Sequence, residues 1–401
     1  MLSDFNQLFY EDSYKQTFDA KVQDHKTIDG KPWIKLDQTL FYPEGGGQPG
    51  DTGTLTVSDK TVLVLDTQVE DNVIWHQVET LEDLPIDRSI RGAIDWERRY
   101  DFMQQHSAEH IYSGLVNKHF GYDNVGFHLN ERFMTIDFSG PLSQAEVMEM
   151  ETLANLAITK NLPFEITYHT PKEAKEITYR SKLDLTDTIR LVTVPGVDRC
   201  ACCGTQVRNT GEIGLLKVTN VMNYKGGVRL ELLAGMRAII DYQKKHNDLK
   251  DMGAQLSSPT DEVLEYVKAL IKDRDDLQAE TTKLSRRLVD VISDAWPEQF
   301  QTKSAITITD LSADSYKDLA KTFSTKTDAL SILLGLMPDE SIRFSISGTK
   351  EDEVKDLLEN LKTTFAAKGG GRGTFISGQI AKDISIDAVK EYLRDLDFKL
   401  Y

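Results

Sequence analysis

The stretch Thr54–Val78, TLTVSDKTVLVLDTQVEDNVIWHQV, alternates β-branched and polar residues and breaks at Ser58-Asp59-Lys60 and at Glu70-Asp71-Asn72. A period of two sends successive side chains to opposite faces of a pleated chain, and short polar breaks between such runs are hairpin connections. The stretch therefore reads as short strands joined by tight turns. It assigns residues 1–93 to a β-rich domain, a small barrel or sheet.

Past that point the period changes. In DWERRYDFMQQHSAEHIYSGLVNKHF the apolar residues Phe102, Met103, Ile111, Leu115 and Val116 recur at helical spacing from a start near Asp95, and Gly121 ends the helix. FHLNERFMTIDFSG is strand-like, SQAEVMEMETLANLAITKN is a second amphipathic helix, and FEITYHTP is again extended. Residues 94–237 thus form an α+β unit that closes with GVRLELLAGMRAIIDY. From 238 to 295 the pattern is helical, with a start predicted at Ser258-Pro259-Thr260-Asp261. Val263, Val267, Leu270, Leu277, Leu284, Leu288 and Val291 follow a 4-3 spacing, an a/d seam that suits a coiled-coil arm or a helix packed on its own domain. Residues 296–401 read as an α/β domain: SAITITDL and SIRFSIS as strands, DEVKDLLENLKTTFAAK as a helix, and GGGRGTFISGQI as a glycine-rich loop followed by an extended run. The expected class is α+β.

At 401 residues the chain exceeds what one core normally serves, so two or three domains are the prior. The net charge of −17 argues against nonspecific binding to nucleic acid, yet leaves room for an RNA partner held by a local basic patch. No apolar run is long enough to cross a bilayer, and the first residues carry no basic, apolar leader pattern. The three cysteines are clustered rather than spaced as a disulfide framework, which points to a reducing cytoplasm.

Those cysteines all fall in CACCGTQV, Cys200–Val207. Three thiols in so short a loop suggest a metal, whose remaining ligands must come from elsewhere. HSAEH supplies candidates: His106 and His110 lie one helical turn apart and project from one face. Two histidines and a cysteine make a plausible zinc set, and a catalytic zinc commonly has three protein ligands and an open position. Glu109 does not stand in the H-E-x-x-H order of a zinc protease. A second constellation is TLFYPEGGGQPGDTG, Thr39–Gly53, where three glycines bare the backbone beside the amide of Gln48. It lacks the Lys-Ser/Thr ending of a nucleotide-binding P-loop. The third is Gly369-Gly370-Gly371-Arg372, an open backbone beside a cation, suited to gripping a phosphate or equally to a plain loop with a solvated arginine.

In this order FYPEGGGQPGDTG, DWERRYDFMQQHSAEH, CCGTQVRNTGEIGLLKV, VRLELLAGMRA and GGGRGTFISGQ resemble the freestanding alanyl-tRNA editing proteins, the AlaX group in its long form, and the editing and C-terminal regions of alanyl-tRNA synthetase. The resemblance covers nearly the whole chain. It implies a DHH-associated domain over 296–401, and it implies hydrolysis of mischarged tRNA(Ala), carrying serine or glycine, rather than charging; the chain is expected to hold no aminoacylation core. It further implies one zinc on His106, His110 and Cys202. The fourth family position, a histidine, is occupied by Gln206, so Gln206, water, Cys200 or Cys203 completes the site. Gln48 is then the candidate for positioning ester or water. Thr39 is the candidate contact for a serine hydroxyl, since a site that bonds a hydroxyl rejects an analogue lacking it. Gly369, Gly370, Gly371 and Arg372, with Arg286 and Arg287, become candidates for tRNA phosphates, and residues 255–295 or the C-terminal domain for a homodimer contact. Two other readings compete. A DHH-type phosphoesterase needs an Asp-His-His cluster, for which only Asp24-His25-Lys26 offers a likeness. A non-catalytic RNA-binding paralogue with a decayed or structural metal site is kept open by Gln206.

Overall fold

The computed structural model describes residues 6–181 and 188–401. It divides into two compact units, Met1–Asp251 and Met252–Tyr401. The architecture is α+β, a closed β-barrel followed by mixed α/β regions. The expected segments 1–93 and 94–237 both fall within the first unit.

The alternating stretch forms barrel strands as its period requires. β1 (Thr17–Ile28), β2 (Lys31–Leu36), β3 (Gly53–Val57), β4 (Lys60–Glu70), β5 (Val73–Val78) and β6 (Ser89–Ile94) close in the order β1-β2-β5-β4-β3-β6. Every pairing is antiparallel. Phe18, Val22, Ile34, Leu36, Leu55 and Val64 fill the interior, and closure leaves no edge strand exposed.

Asp95 then caps α1 (Trp96–Phe120), its side chain accepting from Arg98 N–H, and Gly121 ends the helix in the left-handed region at φ +70°. From Phe102 to Val116 nearly every side chain of α1 is buried, polar ones included. A helix buried all round has lost its solvent face, so its polar residues must find partners inside the protein. It lies against a four-stranded antiparallel sheet containing the hairpin β7 (Asn124–Leu129) and β8 (Met134–Phe138), and against α2 (Gln144–Thr159), which starts in a Ser143–Glu146 capping box. A separate three-stranded sheet, β9 (Glu165–His169), β10 (Ile189–Val194) and β11 (Asp198–Ala201), delivers the cysteine loop. β12 (Leu216–Tyr224) and β13 (Gly227–Ala234) complete the larger sheet, and β13 runs into α3 (Gly235–Leu256).

In the second unit, α4 spans Val263–Asp294, and three expectations need correction. Its start lies at Glu262, four residues after the predicted cap. Ser258 N–H closes back on Gly253 O at 2.9 Å, finishing the preceding helix, and its hydroxyl donates to Pro259 O instead of capping. No coiled coil is identified among the described residues. Leu270, Leu277, Leu284, Leu288 and Val291 are exposed, while Val289 and Ile292 at the helix end pack into the C-terminal core. Third, GGGR is a strand rather than a loop. A six-stranded mixed sheet runs in the order β17-β18-β16-β15-β14-β19, built from β14 (Ser304–Thr309), β15 (Ser331–Leu336), β16 (Ile342–Ser347), β17 (Lys368–Arg372), β18 (Phe375–Ile380) and β19 (Lys399–Leu400). β17 is its edge, and the glycines let it lie close against β18. The helices α5 (Ala313–Thr325), α6 (Glu351–Phe365) and α7 (Ile386–Asp395) supply the remaining apolar faces. Among the described residues no helix is long and apolar enough to cross a membrane.

Candidate metal centre

His106 and His110 emerge from the buried middle of α1 with rings 5.5 Å apart and nearly parallel. The cysteine loop crosses directly over them. A Cβ on Gly204 would lie 2.1 Å from His106 Cε1, so only glycine lets the loop pass. Cys202 Sγ comes to 3.3 Å from His106 Nε2, and the ligand atoms of His106, His110 and Cys202 all lie within 4.8 Å of one another. Tetrahedral zinc with ordinary bond lengths places a nitrogen and a sulfur ligand about 3.6 Å apart, so the cluster has the right scale.

The outer nitrogens decide how the imidazoles face. His106 Nδ1–H donates to Gln48 Oε1 at 2.9 Å, and His110 Nδ1–H donates to Asp198 Oδ2 at 3.0 Å. Each bond leaves Nε2 as the lone-pair atom turned to the centre, the arrangement by which outer partners orient metal-binding histidines. His110 Nε2 is buried and has no hydrogen-bond partner among the described residues. An orphaned buried acceptor beside a thiol is costly in a closed protein and is what a metal satisfies. A group of three that could hold a metal ion, His106, His110 and Cys202, is thus present.

Electrostatics agree. Burial pushes the Cys202 thiol up, but the charge and hydrogen bonds of His106 and His110 in their protonated forms outweigh it and hold the group well below the usual thiol range. Gly204 N–H at 3.3 Å and Gln206 Nε2–H at 3.5 Å also donate to its sulfur. Asp198 is likewise held low: burial opposes ionisation, and His110 and the forked Arg180 guanidinium, at 2.8 and 2.9 Å, outweigh it. Burial pushes Cys200 and Cys203 up, and neither joins the group of three.

The structure brings Gln206 to the centre but turns its ligating atom away. Gln206 Oε1 accepts from Arg190 Nη2 at 3.0 Å, while Arg190 Nη1 donates to Cys202 O at 2.7 Å. Gln48 is also present, with both ends engaged: Oε1 on His106 and Nε2 on Thr205 Oγ1 at 3.0 Å. It holds a histidine rather than reaching for water. Thr39 is elsewhere. Its hydroxyl shares a 2.9 Å bond with His76 Nε2 and accepts from Phe41 N–H at 3.0 Å, fully buried in the barrel. Its donor and one of its two acceptor positions are thus taken within the barrel. The Gly369–Arg372 strand belongs to the other unit.

Asp198, Arg180 and Arg190 were not legible as site residues. Asp198 precedes Cys200 by two positions and carries no spacing signal; only the β10–β11 hairpin and the crossing of α1 place it behind His110. The glycine turn is fixed by a buried ion pair between Arg99 and Asp51, with Arg99 Nη2 also donating to Leu40 O at 2.6 Å.

Comparison with known proteins follows the same lines. The family model for class II (A) tRNA synthetases matches residues 5–98, and that for the threonyl and alanyl tRNA synthetase second additional domain matches residues 189–231. The alanyl-tRNA editing protein AlaX-L of Pyrococcus horikoshii is 27% identical over 96% of this chain and 99% of its own length. Over nearly its whole length the chain is thus similar to an AlaX-type alanyl-tRNA editing protein. Alanine–tRNA ligases of Pyrobaculum calidifontis and Methanobrevibacter smithii are 31% and 29% identical over 97% and 92% of it. The chain spans less than half of those ligases, 44% and 43% of their lengths.

Proposed function

We propose that this chain is an aminoacyl-tRNA deacylase that hydrolyses the ester of tRNA(Ala) wrongly charged with serine or glycine, using one zinc on His106, His110 and Cys202. The observation that carries the reading is the preset pair of Nε2 atoms facing a thiol, each imidazole tied from behind by Gln48 or Asp198. A zinc held there supplies Lewis-acid polarisation of water or of the ester carbonyl. The chain's own residues do the rest. Gln48 and Asp198 fix the imidazole tautomers, Arg180 keeps Asp198 ionised, and Gly204 and Gln206 donate to the sulfur. Gln206 acts as a support for Cys202 rather than as a fourth ligand, because its carbonyl oxygen is engaged by Arg190, and the fourth position stays available to the reaction.

The proposal includes a cytoplasmic setting, tRNA(Ala) as partner, the C-terminal domain from residue 296 as an RNA-contacting element, and a homodimer contact through residues 255–295, where the leucine seam is exposed, or through that domain. Deacylation of seryl-tRNA(Ala) and alanyl-tRNA(Ala), measured with zinc content before and after chelation, tests the reading. We expect about one zinc per chain, cleavage of the seryl ester, sparing of the alanyl ester, and loss of cleavage on chelation. A chain that retains zinc yet cleaves neither seryl nor glycyl ester would instead be the non-catalytic RNA-binding form, and Gln206→His restoring cleavage would identify decay at that position.

A further inference from the structure

The second unit contains a groove of about 700 Å³ between α5 and the outer strands β16, β18 and β17. Its volume falls within the about 300–1,000 Å³ typical of small-molecule sites. Lys317, Lys321, Arg343 and Lys368 line it, and no carboxylate does. That is unexpected for a chain of net charge −17. Lys317 pairs with Asp314 at 3.2 Å on the surface, while Lys321, Arg343 and Lys368 enter no ion pair among the described residues.

Register explains the convergence. Gln379 on β18 is paired with Arg343 on β16 and with Lys368 on β17, so the three stand in one row across the sheet, on one face. Strands lie about 4.8 Å apart, which leaves Arg343 and Lys368 bracketing Gln379 at a separation suited to sharing one anionic group. The next row on that face is Ser345–Ser377–Gly370. Ser345 Oγ bonds both Tyr316 OH and Ser377 Oγ, each at 3.2 Å, so hydroxyls continue the floor. Phe375 adds an aromatic wall and is only half-buried. Cations without counter-ions, an exposed amide, hydroxyls bonded to one another and a half-buried ring are the parts that recognise phosphate, base edge and base face.

We infer that this groove binds a nucleotide unit, its phosphate between Arg343 and Lys368 and its base against Phe375, either as a free nucleotide or as an unpaired residue of an RNA chain. The anion site thereby moves from Arg372, which does not line the groove, to the strand row beside it. The RNA source rests on the proposed tRNA substrate; the groove's chemistry does not.

The test uses the full chain with two probes, AMP by calorimetry and a fluorescent five-residue single-stranded oligoadenylate by anisotropy. Arg343→Gln/Lys368→Gln should weaken binding about tenfold or more and flatten its salt dependence. Lys321→Gln, on an exposed helix face, should give a smaller loss without endangering the fold. Lys382→Gln, which removes a cation paired with Asp339 outside the groove, should change nothing. Binding of AMP that is lost in the double variant identifies a free nucleotide; binding of the oligonucleotide alone, lost likewise, identifies RNA. No binding of either probe by the natural chain, or equal losses in Lys382→Gln and the double variant, overturns the inference. Hydrolysis of a short acylated RNA by the same variants separates the two proposals. Intact hydrolysis with no groove binding defeats this inference alone, and groove binding without hydrolysis defeats only the deacylase reading.

Discussion

The chain contains the tripeptide Gly-Gly-Gly twice, and the two copies have opposite fates. Gly45–Gly47 is a tight turn in the wall of the metal centre, with Gly46 and Gly47 in the left-handed region at φ +59° and +82°. Gly45 and Gln48 exchange both backbone hydrogen bonds at 3.0 Å, and Leu129 N–H reaches Gly47 O at 3.0 Å. Gly369–Gly371 is extended, in an exposed edge strand. The difference comes from what lies around each run. The first is pulled inward by a buried Asp51–Arg99 ion pair on one side and by Gln48 on His106 on the other. The second pairs along one side only and leaves its other side to solvent. Identical glycines therefore supply permission, and their neighbours supply the conformation.

Alanine substitution should separate the copies most sharply. In Gly47→Ala the new Cβ would meet Phe127 ring and backbone oxygen at 2.6 Å, in a backbone region alanine avoids. We expect a loss of about 4 kcal/mol from strain and overlap together, read by denaturant unfolding. Gly370→Ala meets open space and should shift stability by no more than about 0.5 kcal/mol. Comparable losses would mean that the buried setting is not what distinguishes the two runs.

The barrel beneath the first run should also give it a pH dependence that the exposed run lacks. Burial lowers His76 from 6.5 to about 4, against a hydrogen bond to Ile34 O that favours the proton. Between those values the unfolded chain binds a proton that the folded barrel refuses. Stability is thus fully present above pH 6.5 and falls by about 3 kcal/mol as pH drops toward 4. His76→Gln should flatten that part of the unfolding profile, and an unchanged profile would assign the acid sensitivity to another group.

Behind the centre, Asp198→Asn keeps the shape but weakens the hold on His110 Nδ1–H, and zinc affinity should fall about 10- to 100-fold in a chelator competition. The smallest effect at this end is expected from Thr39→Val. It strips partners from His76 and Phe41 N–H, costing about 2 kcal/mol, and leaves the preference between seryl and alanyl esters unchanged because the hydroxyl is already engaged. A lost preference would return Thr39 to the substrate pocket.

Much of this was legible in local pattern. Alternation marked the barrel strands, Asp95 and Gly121 bounded the long helix, and chemistry paired His106 and His110 with the cysteine loop, while Cys202 itself was singled out by the resemblance to alanyl-tRNA editing proteins. The boundaries that failed did so where two local signals competed. Ser258-Pro259 has the form of a helix start, but the chain used Ser258 to finish the helix before it. GGGR has the form of a loop, but sheet pairing recruited it.

What the sequence determined alone was the periodicity of its elements and the kinds of side chain that chelate, since both depend on residues a few positions apart. What only the tertiary structure decided was which polar groups face each other. Asp198 behind His110, Gln48 behind His106, Arg190 on the oxygen of Gln206, and Arg343 in one row with Lys368 all follow from strand register and helix crossing. A shift of one residue in register would turn Asp198, Arg190, Arg343 and Lys368 to the opposite face, and no local spacing records which register the packed core will choose.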